Sequence, residues 1–119
     1  MNNIEFCIEA ENYGFPAVEL IIDGIVRGSF EVANEGFGSF RIENVVIDSD
    51  YRGKGFYKML MIAAFNIFQI DTLRSDNRNE KSNPCYEKWC GQDLGENETV
   101  FIQRDGEQLV FTVDTYVEG

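Results

Sequence analysis

"VVIDSDYRGKGFYKML", residues 45–60, decides how this chain folds. The stretch opens as an apolar strand at Val45, Val46 and Ile47. It crosses a short acidic patch, reaches Arg52-Gly53-Lys54-Gly55, and runs on into an apolar helix that begins at Lys54 or Gly55. Residues 51–70 hold three of the chain's ten bases, Arg52, Lys54 and Lys58, and none of its 21 acids. A strand that turns through glycines into a helix leaves the first-turn N–H groups without internal acceptors. The positive end of the helix dipole lies there too. Glycine lets main chain approach a ligand with no Cβ in the way. The junction therefore reads as an anion site suited to phosphate or pyrophosphate. The same glycines also suit a plain tight turn with solvated bases, and the residues alone leave both readings open. Neither Gly-x-x-x-x-Gly-Lys-Ser/Thr nor Gly-x-Gly-x-x-Gly occurs, so the two common nucleotide motifs are excluded.

Working outward, the helix continues to about Gln69, with Phe56, Leu60, Ala63 and Ile67 as a buried stripe widened by Met59, Ile62, Ala64 and Phe65. So apolar a helix needs a sheet to lie against. Upstream, Ile4, Phe6, Ile8 and Ala10 alternate with polar residues as a strand does. Residues 12–16 read as a turn. Strands over 17–22 and 25–33 meet at Asp23-Gly24, a hairpin signal. Residues 34–38 turn again, and 40–47 form a strand apolar on both faces near its end, as a central strand is. Downstream come a short strand over 71–75 and a polar loop over 76–83. Asn83-Pro84 reads as an N-cap with proline at the first helical position, and Gly91 ends that short helix. A last hairpin joins 99–104 to 107–117 through Asp105-Gly106, a type I′ turn that sets Arg104 opposite Glu107 and Ile102 opposite Leu109. The order β-β-β-β-α-β-α-β-β makes this one α+β domain, residues 1–119, with a mixed, mostly antiparallel sheet, one long central helix, one short helix and a C-terminal hairpin.

Composition narrows the chemistry. Histidine is absent, which removes His-based catalysis and His-ligated metals together. Acid–base work falls to carboxylates, tyrosine, cysteine, lysine or water. Cys85 and Cys90 match no common zinc spacing, so no metal is expected, and Cys7, Cys85 and Cys90 read as free thiols. With no basic leader and no span of about 18 apolar residues, the expectation is a cytoplasmic protein off the membrane. A net charge of −11 repels nucleic acid and attracts cationic partners.

Residues 45–60 resemble the motif of the GNAT superfamily, the acyl-CoA N-acyltransferases. There an apolar strand leads into Arg-Gly-Lys-Gly-x-Gly/Ala and an apolar helix, and here the chain reads Ile47-Asp48-Ser49-Asp50-Tyr51-Arg52-Gly53-Lys54-Gly55-Phe56-Tyr57. The resemblance implies that the turn, Arg52, Gly53, Lys54, Gly55, Phe56 and Tyr57, binds the coenzyme A pyrophosphate. It implies that the strand at Val45, Val46 and Ile47 hydrogen-bonds the pantetheine arm. Tyr57 departs from the motif's small residue: it can crowd the phosphate or turn aside. A second segment, "NEKSNPCYEKWCG", carries Asn79, Ser82, Tyr86 and Lys88 at the family's spacing. By that resemblance Tyr86 is the general acid toward the coenzyme A thiolate and Asn79 a cofactor contact. The two helices that usually wall the family's acceptor site are missing, so the site is open or completed by a partner subunit, with a homodimer as one form.

The implied activity is transfer of an acyl group, acetyl first, from acetyl-CoA or another acyl-CoA to an amine such as a protein lysine or a polyamine. Glu43, expected on the same strand face as Val45 and Ile47 by period two, is the candidate base. The alternative is a non-catalytic acidic protein on this scaffold that blocks a basic surface of a partner.

Overall fold

The computed structural model describes residues 3–9, 15–75, 78, 82–95 and 98–115. Seven strands form one sheet in sequence order: β1 (Ile4–Glu9), β2 (Ala17–Ile22), β3 (Ile25–Gly36), β4 (Ser39–Ile47), β5 (Thr72–Ser75), β6 (Glu98–Asp105) and β7 (Gln108–Thr115). Helix α1 (Phe56–Phe68) joins β4 to β5, and α2 (Asn83–Cys90) joins β5 to β6. Every neighbouring pair is antiparallel except β4 and β5, which the α1 crossover makes parallel. The expected element order and fold class hold throughout.

One face of the sheet is the core. Val18 pairs with Phe30, Phe30 with Val45, and Leu73 with both Phe40 and Ile102. Leu60, Met61, Ala64 and Phe65 of α1 are buried over these rows. Helix α2 packs on β7, and the helices meet through Tyr57, Tyr86 and Trp89, so both cover the same face. No helix among the described residues covers the other face. It carries Glu19, Ser29, Arg41 and Arg74, with Glu35 bonded to Arg74 at 2.7 Å. That guanidinium holds the Glu35 carboxyl below its ordinary pKa.

The local signals differ from expectation at several joints. At Asp23-Gly24 both residues take positive φ, as a type I′ hairpin requires. β3 runs on to Gly36, so the second tip is Phe37-Gly38, with the Phe37 ring fully in solvent. The final hairpin pairs Asp105 with Gln108, which puts Arg104 opposite Leu109 and Ile102 opposite Phe111. Its tip is Gly106-Glu107, and only Gly106 has positive φ, so the type I′ turn is not used. This register brings Phe111 under Trp89, 5.3 Å between ring centroids. Val46 is 48% exposed: β4 is central in order but covered on one side only. Asn83 is the first residue of α2 and not its cap, because its side chain accepts from Arg78 and donates to the Leu94 carbonyl. Gly91 ends the helix with φ of 73°.

Candidate functional site

The site is built where β4 and β5 part. They pair only from Ser39 opposite Thr72 to Arg41 opposite Arg74. Beyond Arg41, β4 keeps its β3 partner and loses β5, which opens a wedge. The Asp48 N–H bonds the Arg27 carbonyl of β3 at 2.8 Å. Strand alternation therefore turns the main-chain groups of Val45 and Ile47 to the wedge side and those of Val46 to β3. The three predicted pantetheine contacts thus divide: Val45 and Ile47 present main chain to the wedge, and Val46 does not.

A bulge shapes this strand. The register passes from Ile42 opposite Val32 to Asn44 opposite Glu31, leaving Glu43 without a partner on β3. Alternation breaks there: Ile42 and Ile47, an odd number of residues apart, are both buried. The expected period-two alignment of Glu43 with Val45 and Ile47 therefore fails. Glu43 is exposed at the bulge, with its carboxylate bonded to Arg41 at 2.9 Å.

The glycine turn follows β4 directly. A short 3₁₀ turn (Ser49–Tyr51) leads to Gly53 and Gly55, whose φ values are 73° and 84°. A side chain at either position would be strained, and the space beside each is open. Helix α1 makes its first bond from the Met59 N–H to the Gly55 carbonyl, 3.2 Å. No acceptor among the described residues meets the N–H groups of Gly53, Lys54, Gly55, Phe56, Tyr57 or Lys58. The cluster of free donors expected at this junction is therefore present, around exposed glycines.

The three bases serve the turn in different ways. Arg52 donates from Nε to the Ile47 carbonyl at 3.0 Å, tying the turn to the end of β4. Lys54 Nζ lies 5.7 Å from the Tyr51 ring centroid, and Lys58 Nζ lies 5.5 Å from that of Phe111 and 5.7 Å from that of Trp89. Their charge stays at the junction, but each side chain rests on protein.

Tyr57 turns aside from the donors. Its ring meets Phe30 at 6.1 Å and Tyr86 at 5.8 Å, both edge-on, and Trp89 at 5.4 Å. The two phenol oxygens, Tyr57 and Tyr86, are 2.8 Å apart. Tyr86 is fully buried on α2, whereas Tyr57 is partly exposed. Burial pushes the Tyr57 phenol up to about 12, eased by the Tyr86 hydroxyl, and pushes Tyr86 well above its ordinary value. The Ser75 hydroxyl, at the end of β5, works against that rise at Tyr86. Phe30 pairs with Val45 of β4, so the two tyrosines bridge the wedge on its helix side, from β4 to β5. Sequence reasoning placed Tyr86 and Tyr57 in separate roles. Their contact depends on how α1 and α2 dock, and no local signal reveals it.

Arg78 is the residue that sequence reading missed. It donates to the carbonyls of Ser75 (2.8 Å), Gly95 (3.1 Å) and Glu98 (2.8 Å) and to Asn83 Oδ1 (2.7 Å). One guanidinium thus locks the end of β5, the start of α2 and the loop into β6. Asn79, the other predicted cofactor contact, lies outside the described residues. Among the described residues no group of three His, Cys, Asp or Glu side chains could hold a metal, and no helix is long and apolar enough to cross a membrane. Cys7, Cys85 and Cys90 are free thiols.

No curated protein matches the chain. Solved structures do match. One is the PaiA N-acetyltransferase of Thermoplasma acidophilum in complex with coenzyme A, similar with a TM-score of 0.54 and 16% identity over 84% of this chain. The match takes in 60% of that protein, so the present chain covers less than two thirds of its length. Another is the ribosomal-protein-S18-alanine N-acetyltransferase of Escherichia coli, with a TM-score of 0.51 and 15% identity over 74% of this chain and 76% of that one. At such identities the likeness is one of fold. The sequence model of the acetyltransferase (GNAT) family matches residues 4–92, three quarters of the chain and the whole of the wedge, turn and tyrosine pair. With that match and this fold, the chain belongs to the acetyltransferase (GNAT) family.

Proposed function

We propose that the chain is an N-acyltransferase that takes an acyl group, acetyl first, from acyl-CoA and passes it to a cationic amine. One observation carries the reading: the N–H groups of residues 53–58 meet no acceptor among the described residues and surround glycines that leave open space. Such a cluster of donors at a helix start fits a diphosphate. A structural neighbour solved with coenzyme A and the family match support it.

The residues divide the work. Gly53, Lys54, Gly55, Phe56 and Tyr57 offer main-chain donors to the diphosphate. Lys54 and Lys58 supply charge, and Arg52 holds the turn against β4. Val45 and Ile47 face the wedge with their main chain and hold the pantetheine arm. An N–H aimed at the thioester oxygen there stabilises charge as the amine attacks. The tyrosine pair supplies the proton for the leaving thiolate. Glu43, fixed at the bulge by Arg41, takes the amine proton through water. The acceptor reaches the site from the uncovered side, drawn by a chain of net charge −11. A protein lysine and a polyamine both meet that description.

A second reading, a non-catalytic acidic binding protein on this scaffold, draws on one observation: Tyr57 stands where the motif has a small residue and bridges the wedge. Thermal unfolding with acetyl-CoA separates the two. At a hundredfold excess over Kd, a bound ligand stabilises the fold by about 2.7 kcal/mol, a rise of several degrees. An unchanged midpoint at millimolar acetyl-CoA rejects the transferase and leaves the binding protein.

A further inference from the structure

We propose that Tyr57, and not Tyr86, delivers the proton to the departing thiolate, with Tyr86 as the positioning residue whose hydroxyl donates to the Tyr57 oxygen. The inference rests on the transferase reading above and assigns roles within its site.

The argument starts from access. Tyr86 is fully buried, enclosed by Tyr57, Trp89 and Ser75. Its hydroxyl is engaged by Tyr57 at 2.8 Å. A sulfur atom in the wedge therefore meets Tyr57 before Tyr86. Tyr57 is partly exposed and is the second residue of α1, beside the free donors of the glycine turn. One residue thus joins the diphosphate cradle to the reacting end of the wedge. The motif's small residue has no side chain that could do this.

Burial agrees with that order: it raises both phenols and encloses Tyr86 the more completely, so Tyr57 is the phenol that parts with its proton first. The Ser75 hydroxyl and the Arg78 charge both work against the rise at Tyr86. These last two steady the Tyr86 oxygen while its proton is drawn toward Tyr57.

In the transfer step the amine nitrogen forms a bond to the thioester carbonyl carbon, and the carbon–sulfur bond breaks. Sulfur leaves with the bonding pair and takes the Tyr57 proton, giving the free thiol. The attacking amine, already neutral, loses one proton through water to Glu43, which releases it to solvent, and water returns one to the Tyr57 oxygen. The net products are an amide and a thiol, with nothing oxidised or reduced.

The test is calorimetric titration of the full chain with coenzyme A and with desulfo-coenzyme A, at pH 7 and pH 9.5, needing no knowledge of the acceptor. A thiol, near 8.5 for cysteine and higher for the simple alkyl thiol of coenzyme A, gains thiolate between pH 7 and pH 9.5, while Tyr57 keeps its proton until about 12. The native chain is expected to prefer coenzyme A over the desulfo form roughly tenfold at pH 9.5, as a hydrogen bond to a charged group provides, and less at pH 7. Tyr57→Phe removes this preference, bringing the affinities for the two ligands together. Tyr57→Met, which fills the pocket without a hydroxyl, repeats the loss should the Phe variant not fold. Tyr86→Phe keeps a preference reduced to about a third, as a positioning role requires. The inference is overturned if Tyr57→Phe retains the full preference, if Tyr86→Phe alone abolishes it, or if the native chain shows none. Failure of the native chain to bind either ligand overturns the transferase reading itself, a result distinct from the others.

Discussion

Arg78 shows how much one side chain can hold. Its donors satisfy three carbonyls and one amide oxygen from three separate segments, a geometry that a planar guanidinium can span and an ammonium cannot. Arg78→Lys is therefore expected to destabilise the fold almost as much as Arg78→Ala, by about 1–3 kcal/mol, because partly buried carbonyls lose their donors. Urea unfolding of the two variants checks this. Tyr57 and Tyr86 give a second outcome, set by pH. Free tyrosines ionise near 10, whereas Tyr57 holds its proton until about 12. Between those values the folded chain binds more protons than the unfolded one, so stability is whole below pH 10 and drains away as pH rises toward 12. The thermal midpoint of the native chain should fall over that window, and the fall should be shallower in Tyr57→Phe.

At the scale of elements, the sheet depends on places where strands depart from regularity. Gly28 sits where a Cβ would come within 2.7 Å of the Val46 carbonyl on the neighbouring strand. Gly28→Ala must push β3 and β4 apart, at a cost of about 1–3 kcal/mol. The same shift moves Val45 and Ile47 at the wedge, so the variant is expected to lose coenzyme A affinity as well as stability. Unfolding and titration together read both effects. Most elements could be read from local pattern, since period-two alternation and an apolar three-to-four stripe follow from which face is buried. What escaped was set across strands. Glu43 was aligned with Val45 by counting twos, but the bulge opposite Glu31 and Val32 breaks the count. The last hairpin slid by two residues, because one apolar face is kept in either register and the seat of Phe111 beneath Trp89 decides between them.

As a whole, the molecule is a one-sided sheet: both helices lie on one face, and the other is uncovered among the described residues. Its net charge of −11 makes the proposed association with a cationic acceptor an electrostatic matter. Binding of a poly-lysine peptide should weaken on the order of tenfold between 50 and 500 mM salt, as screening shortens the reach of the field, whereas thermal stabilisation by coenzyme A should change much less. An acceptor affinity indifferent to salt would remove charge from the recognition. The sequence by itself determined the element order, the glycine turn with its free donors, and the absence of imidazole chemistry, because each depends on residues close together in the chain. Only the tertiary structure decided that β4 and β5 part after Arg41, that Glu43 is bound to Arg41, and that Tyr57 closes on Tyr86. The first two depend on how strands pair and bulge across the sheet and the third on how α1 and α2 dock over it, and contact between segments far apart in the chain leaves no periodic mark on either one.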